Sequence, residues 1–244
     1  MGKRSHVFNI LVNKNNMASV KLDTSIKEYQ QFVREVYGLA SDRYFSVQDM
    51  LANVERFMTR SLKGIRKGDV QRTKVNLMIS SSWFMSMLNQ LHIDIEEEVW
   101  KRFPYMCSYC ASCPCVCKAQ KIQTRQAVII DEAKRPKTME GFQKMFNEIY
   151  PVQTRTLDHA GVHLIEEMGE VAEAILTYRG NHNDEDFKKV ILECADLVSC
   201  IMGVFNSLDV NLAKELSIMF DENCHACKKS PCVCNFVDIT QFKS

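Results

Sequence analysis

Hydrophobic positions along the chain recur every three or four residues, the period of a helix buried along one face. In the second half this predicts helices near residues 138–149, 158–179, 184–206 and 209–220, with Gly180-Asn181-His182-Asn183 as the turn between the middle two. The first half carries a similar set, including an uncharged helix over Val75 to Gln90. Sustained period-two alternation is missing, except that residues 6–22 (HVFNILVNKNNMASVKL) would allow a short strand pair. The expected class is all-α.

One segment departs from the amphipathic pattern. Val190 to Phe205 (VILECADLVSCIMGVF) is apolar or small around the whole wheel apart from Glu193 and Asp196, which marks a buried helix. Carboxylates three residues apart share a face, and two of them in a buried helix repel unless a cation compensates. Upstream, His163 to Ile175 (HLIEEMGEVAEAI) places Glu166, Glu167 and Glu170 on a second helix. Glu170 lies ten residues before Gly180 and Glu193 ten after Asn183; Glu167 and Asp196 lie thirteen out on either side. At about 1.5 Å per residue, an antiparallel hairpin sets the first pair level roughly 15 Å from the turn and the second roughly 20 Å from it. The pattern is a carboxylate cage for a hard divalent cation, Mg2+ first and Mn2+ as its substitute.

Length and charge refine this. The 244 residues suit one large or two modest domains. Residues 1–118 hold 17 Lys/Arg against 11 Asp/Glu, net +6; residues 119–244 hold 14 against 19, net −5. A basic half joined to an acidic half suggests that they face each other or share an anionic ligand, with chance drift as the open alternative. No apolar run approaches the roughly 18 residues of a membrane span. Met1-Gly2-Lys3-Arg4 is basic but lacks a following apolar region, and His6 fails the myristoylation pattern. A cytoplasmic protein without a membrane partner is expected.

Eleven cysteines in an unsecreted chain argue against a disulfide framework. Eight fall in two copies of C-x2-C-x4-C-x-C: Cys107, Cys110, Cys115 and Cys117, then Cys224, Cys227, Cys232 and Cys234. Four thiolates so spaced suit one tetrahedral structural Zn2+, hence two per chain; an iron–sulfur centre or redox-active thiols stay open. Cys113 aligns with Ser230 and is not an expected ligand, and Cys194 and Cys200 are expected to pack in the buried helix. Such knuckles can bind nucleic acid. Only Lys228, Lys229 and Tyr109 speak for that, so stabilising each repeat's C-terminal end is the expected role.

The cysteine copies belong to a longer duplication. Ser25–Tyr37 aligns with Thr138–Tyr150 at an offset of 113, matching Gln30 with Gln143 and Tyr37 with Tyr150. Ile93-Asp94-Ile95 aligns with Leu208-Asp209-Val210 at 115, and the cysteines align at 117. The predicted organisation is a repeat over 24–117, a polar linker over 118–137 and a second repeat over 138–234, each about four helices and a knuckle. At these offsets Glu166, Glu167 and Glu170 fall opposite Asn53, Val54 and Phe57, and Glu193 and Asp196 opposite Met78 and Ser81. The first repeat lacks all five acids and instead carries Arg56, Arg60, Lys63, Arg66 and Lys67 on one helix. It reads as a catalytically dead partner.

Glu166-Glu167-Met168-Gly169-Glu170, a gap of twenty-two residues, then Glu193-Cys194-Ala195-Asp196 resembles the EExxE and ExxD motifs of the MazG family of all-α nucleoside triphosphate pyrophosphohydrolases. The specific match covers residues 158–216, while Lys101-Arg102-Phe103-Pro104 gives the first repeat a family-like ending. The resemblance implies Mg2+-dependent hydrolysis of a nucleoside triphosphate to the monophosphate and pyrophosphate. It implies Glu167, Glu170, Glu193 and Asp196 as metal ligands, and Glu166 as a further ligand or the base that orients water. It also implies a bundle of two family units, here formed within one chain as a pseudodimer. Candidates for clamping the triphosphate are Arg179, Lys189, Lys214, Lys101 and Arg102. His163 is expected to pack or cap. A homodimer is compatible with the sequence. A non-catalytic nucleic-acid-binding or regulatory protein, and a pyrophosphohydrolase of a non-triphosphate nucleotide, are the alternatives.

Overall fold

The structure, a computed structural model, describes residues 18–235. Among these residues it is all-helical. The strand pair expected over 6–22 falls mostly on residues outside the described ones, and residues 18–22 form no strand.

The helices are α1 (Ile26–Tyr44), α2 (Val47–Arg66), α3 (Val70–Gln90), α4 (Ile95–Arg102), the short α5 (Cys117–Gln120), α6 (Met139–Ile149), α7 (Leu157–Asn181), α8 (Asp184–Ser207) and α9 (Leu212–Met219). Every one of eight residues or more starts behind a Ser, Thr, Asp or Asn whose side chain accepts a backbone N–H of the first turn. That donor has no partner within the helix, so each cap contributes about 1 kcal/mol. The Asp69 cap explains why α3 begins at Val70 rather than at the predicted Val75.

The helices α2 and α3 form one hairpin and α7 and α8 another; α2 packs on α7, and α4 on α8. Gly161 permits the approach of α7 to α2, since a Cβ there would lie 2.7 Å from Ile65 Cδ1 and 3.0 Å from Leu62 Cδ1.

The same hydrogen bonds recur in the two halves. Gln30 Nε2 donates to Asn89 Oδ1 and Ile93 O, and its Oε1 accepts the Ile95 N–H. Gln143 Nε2 donates to Asn206 Oδ1 and Val210 O, and its Oε1 accepts the Leu212 N–H. These pairings match Asn89 with Asn206 and Ile93 with Val210, both 117 apart. The sequence register of 115 at this loop is therefore corrected by two residues. The shared apolar-Asp-apolar pattern suggests the wrong register; the positive-φ residues His92 and Asp209 mark the true correspondence.

The halves also exchange their ends. The Cys115 N–H donates to Ile149 O at 2.8 Å, and the Cys232 N–H donates to Val36 O at 2.7 Å. Phe103 packs edge-on against Phe146 at 5.1 Å, and Phe220 tilts against Phe32 at 5.3 Å. Each cysteine knuckle thus joins the first helix of the other half, rather than only closing its own repeat as expected. The linker is anchored too, through Trp100 Nε1 to Glu132 and Arg135 to Glu97.

One further expectation changes. An 18-residue window of α8 has mean hydropathy 1.6, enough by length and composition to cross a membrane. In the fold 61% of that window is buried, and α8 packs on α7, α4 and α6. This is the helix whose apolar wheel is interrupted only at Glu193 and Asp196 from Val190 to Phe205.

Candidate metal centre

The α7–α8 hairpin closes through His182, which ends α7 in the left-handed region at φ 54°. The Asn183 side chain then caps α8. With this turn fixed, Glu167, Glu193 and Asp196 present ligand oxygens all within 4.8 Å of one another. The expected level pairing of Glu167 with Asp196 is realised. Glu170 is exposed and outside this trio, although its charge acts on Glu193. Glu166 is exposed and also outside it.

Crowding is electrostatically visible. Burial, then the carboxylates of Asp196, Glu170 and Glu167, push Glu193 up to about 7, and Arg102 opposes them. Glu167 Oε2 is buried with no hydrogen-bond partner. An unpaired buried carboxylate oxygen costs at least about 1–3 kcal/mol. The donors are hard oxygens, the set that Mg2+ or Mn2+ takes. The three carboxylates could hold a metal ion, with Arg102 engaging both oxygens of Asp196 in its absence.

Two contacts were not foreseen. His163 Nε2 lies 3.0 Å from Glu167 Oε1, and His163 Nδ1 lies 3.3 Å from Cys200 Sγ. The hydrogen bonds to Cys200 and then Glu167 push His163 up to about 10. His163, expected to pack or cap, holds Glu167 Oε1 and is itself held by Cys200, expected only to pack. Arg155, just before α7, buries its guanidinium beside Cys200, with Nε unpartnered. The i, i+4 spacing of His163 and Glu167 was readable; the approach of Cys200 and Arg155 was not.

The five phosphate-clamp candidates divide. Arg102 reaches from α4 to Asp196. Lys101 pairs with Glu97 and Glu98 and lines, with Arg102 and Arg125, a cleft of about 290 Å³ beside Ala195. Lys189 pairs with Asp186 at 3.0 Å. Arg179 lies against Gln48, whose amide, turned to present its oxygen, accepts from Nη1 at 2.7 Å. Lys214 is exposed on α9.

Both four-cysteine sets converge as well. Sulfur separations are 3.7 Å for Cys107–Cys117 and 3.9 Å for Cys110–Cys115. They are 3.8 Å for Cys224–Cys234 and for Cys227–Cys232. A tetrahedron with Zn–S bonds of about 2.3 Å has edges of about 3.8 Å, so each set could hold one zinc. Backbone N–H groups of Tyr109, Val116 and Cys234 donate to the sulfurs of Cys107, Cys110 and Cys232. Cys113 is exposed and outside the set, as expected.

No protein-family model matches the chain, and neither a curated protein nor a solved structure matches it.

Proposed function

We propose that the protein hydrolyses nucleoside triphosphates to the monophosphate and pyrophosphate at the α7–α8 carboxylates, using Mg2+. The observation that carries this reading is the convergence of Glu167, Glu193 and Asp196, whose ligand oxygens lie within 4.8 Å of one another. The resemblance to the MazG motifs supplies the reaction. Glu167, Glu193 and Asp196 would hold the cation, with Glu170 on the adjoining turn. When bound, it would neutralise the charge that builds on the phosphates as the bridging P–O bond breaks.

The chain's own residues do the rest. His163 holds Glu167 Oε1 and so fixes the carboxylate. Glu166, exposed beside Glu167, takes a proton from the attacking water. The water oxygen bonds to phosphorus, the anhydride P–O bond breaks, and pyrophosphate leaves. Arg102, between Asp196 and the basic cleft, is the cation best placed to share itself between carboxylate and phosphate. The exchanged knuckles and the matched glutamine networks support reading the two halves as a pseudodimer of MazG-like units with one competent site.

The test is a panel of canonical and modified (d)NTPs with Mg2+, with monophosphate and pyrophosphate both quantified. Equimolar release that Glu193→Gln abolishes supports the proposal. Release from a nucleotide sugar or phosphoribosyl compound alone would retain the chemistry and change the substrate; no release from zinc-loaded, folded protein would overturn it.

A further inference from the structure

A large cavity lies mainly in the half that lacks the five acids of the α7–α8 hairpin. It has a volume of about 1000 Å³ and sits among the end of α1, α2, α3 and the second knuckle. Small-molecule sites fall at about 300–1,000 Å³.

Its position is set by the duplication. The caps Ser46 and Thr156 open α2 and α7, and Asn89 and Asn206 close α3 and α8 on matched glutamines. Counted from these anchors, Asn53, Phe57, Ile79 and Trp83 occupy the places of His163, Glu167, Asp196 and Cys200. All four line the cavity. It is the counterpart of the carboxylate cluster, and this register replaces the Asn53/Val54/Phe57 correspondence expected for the three glutamates. Phe57 and Ile79 cannot ligate a cation, so the pocket cannot repeat metal-assisted hydrolysis.

Its surface suits a different task. Phe45 and Trp83 meet edge to face at 5.1 Å and form an aromatic wall, with Tyr44 exposed at the rim. Arg56 takes the place of Glu166, and its guanidinium carbon lies 5.2 Å from the Phe57 ring centroid. Arg43 adds a second guanidinium to the lining. The one lining carboxylate, Asp49, is engaged by the Ser46 N–H and hydroxyl. An aromatic wall next to guanidinium groups recognises a flat ring that carries an anion. We infer that the first half is a non-hydrolysing binding site for a nucleoside phosphate, its base on Trp83 and Phe45 and its phosphate toward Arg56 and Arg43. This does not depend on the second half being a hydrolase.

The chain has two tryptophans, and Trp100 is fully buried, so quenching of tryptophan emission reports on Trp83. Zinc-loaded full-length protein is titrated with ATP, GTP, CTP and UTP without added Mg2+. Saturable quenching below about 1 mM is expected for at least one of them. Arg56→Gln should weaken that binding by about tenfold, and so should removing the phosphates from the ligand. Glu193→Gln should leave it unchanged, which separates this site from the carboxylate cluster. Circular dichroism melting verifies that the Arg56 variant is folded, and equilibrium dialysis of Trp83→Leu checks occupancy without the fluorophore. Absence of quenching by all four nucleotides would overturn the inference. So would quenching indifferent to Arg56→Gln and to the phosphates, or quenching lost in Glu193→Gln.

Discussion

Arg102 holds Asp196 with two donors, Nε at 3.0 Å from Oδ1 and Nη2 at 2.6 Å from Oδ2. The pair joins α4 of the first half to α8 of the second, and both side chains are largely shielded, at 12% and 17% exposure. Bidentate geometry makes it worth more than a surface pair. It brings one fixed positive charge to a cluster of carboxylates. Truncating it as Arg102→Ala should cost about 2 kcal/mol without divalent metal, less than for a fully buried pair because solvent reaches the edge. Mg2+ should restore more melting temperature to the variant than it adds to the native protein. Equal Mg2+ shifts in the two would mean that Arg102 and the cation do not address the same carboxylates.

Stability should depend on pH in a direction opposite to that of most carboxylates. The folded state raises Glu193 from 4.5 to about 7, so it binds the proton more tightly than the unfolded chain. The resulting stabilisation is full below about pH 4.5 and is lost as pH rises through about 7. Between pH 5 and 8, without metal, the Glu193 contribution should fall by about 1–2 kcal/mol, after discounting for partial exposure. Urea titrations of native protein and Glu193→Gln at both pH values isolate it. A native-to-variant difference that does not change with pH would contradict the assignment.

Each knuckle should bind its own zinc. Elemental analysis is expected to give two zinc and no iron per chain, one zinc in Cys110→Ser or Cys227→Ser, and two in Cys113→Ser. Because each knuckle is bonded to the other half's first helix, losing either zinc should loosen both halves together. Hydrogen exchange should then rise in α6 when the first knuckle is emptied and in α1 when the second is. Exchange confined to the emptied knuckle would contradict the exchanged-end architecture.

His163 should act through Glu167. His163→Ala should weaken divalent-cation binding by about 10-fold, the scale found for partners that orient metal ligands. Cys200→Ala should have a smaller effect, because the ring keeps its bond to Glu167. Unaltered cation affinity in His163→Ala would reduce the histidine to a packing role.

Much of this architecture was legible because it rests on local rules. The α7 and α8 boundaries follow from their caps and the Gly180–Asn183 turn, and the hairpin arithmetic brings Glu167 level with Asp196. The cysteine spacing carries the two four-sulfur clusters. What sequence could not carry was partnership between distant segments. The match of Ile93-Asp94-Ile95 to Leu208-Asp209-Val210 looked sound, yet the hydrogen bonds of Gln30 and Gln143 shift the register by two. Nor does spacing tell that Arg102, 94 positions before Asp196, lands on that carboxylate while Lys189 turns to Asp186.

The most direct test of the central claim is titration of Mn2+, as a stand-in for Mg2+, into zinc-loaded protein, followed calorimetrically and by the loss of the free-ion paramagnetic signal. One site per chain is expected, abolished by Glu193→Gln and weakened by Glu167→Gln, with affinity falling as pH drops below about 7 and protons compete for Glu193. Absence of such a site, or one untouched by both substitutions, would contradict the account.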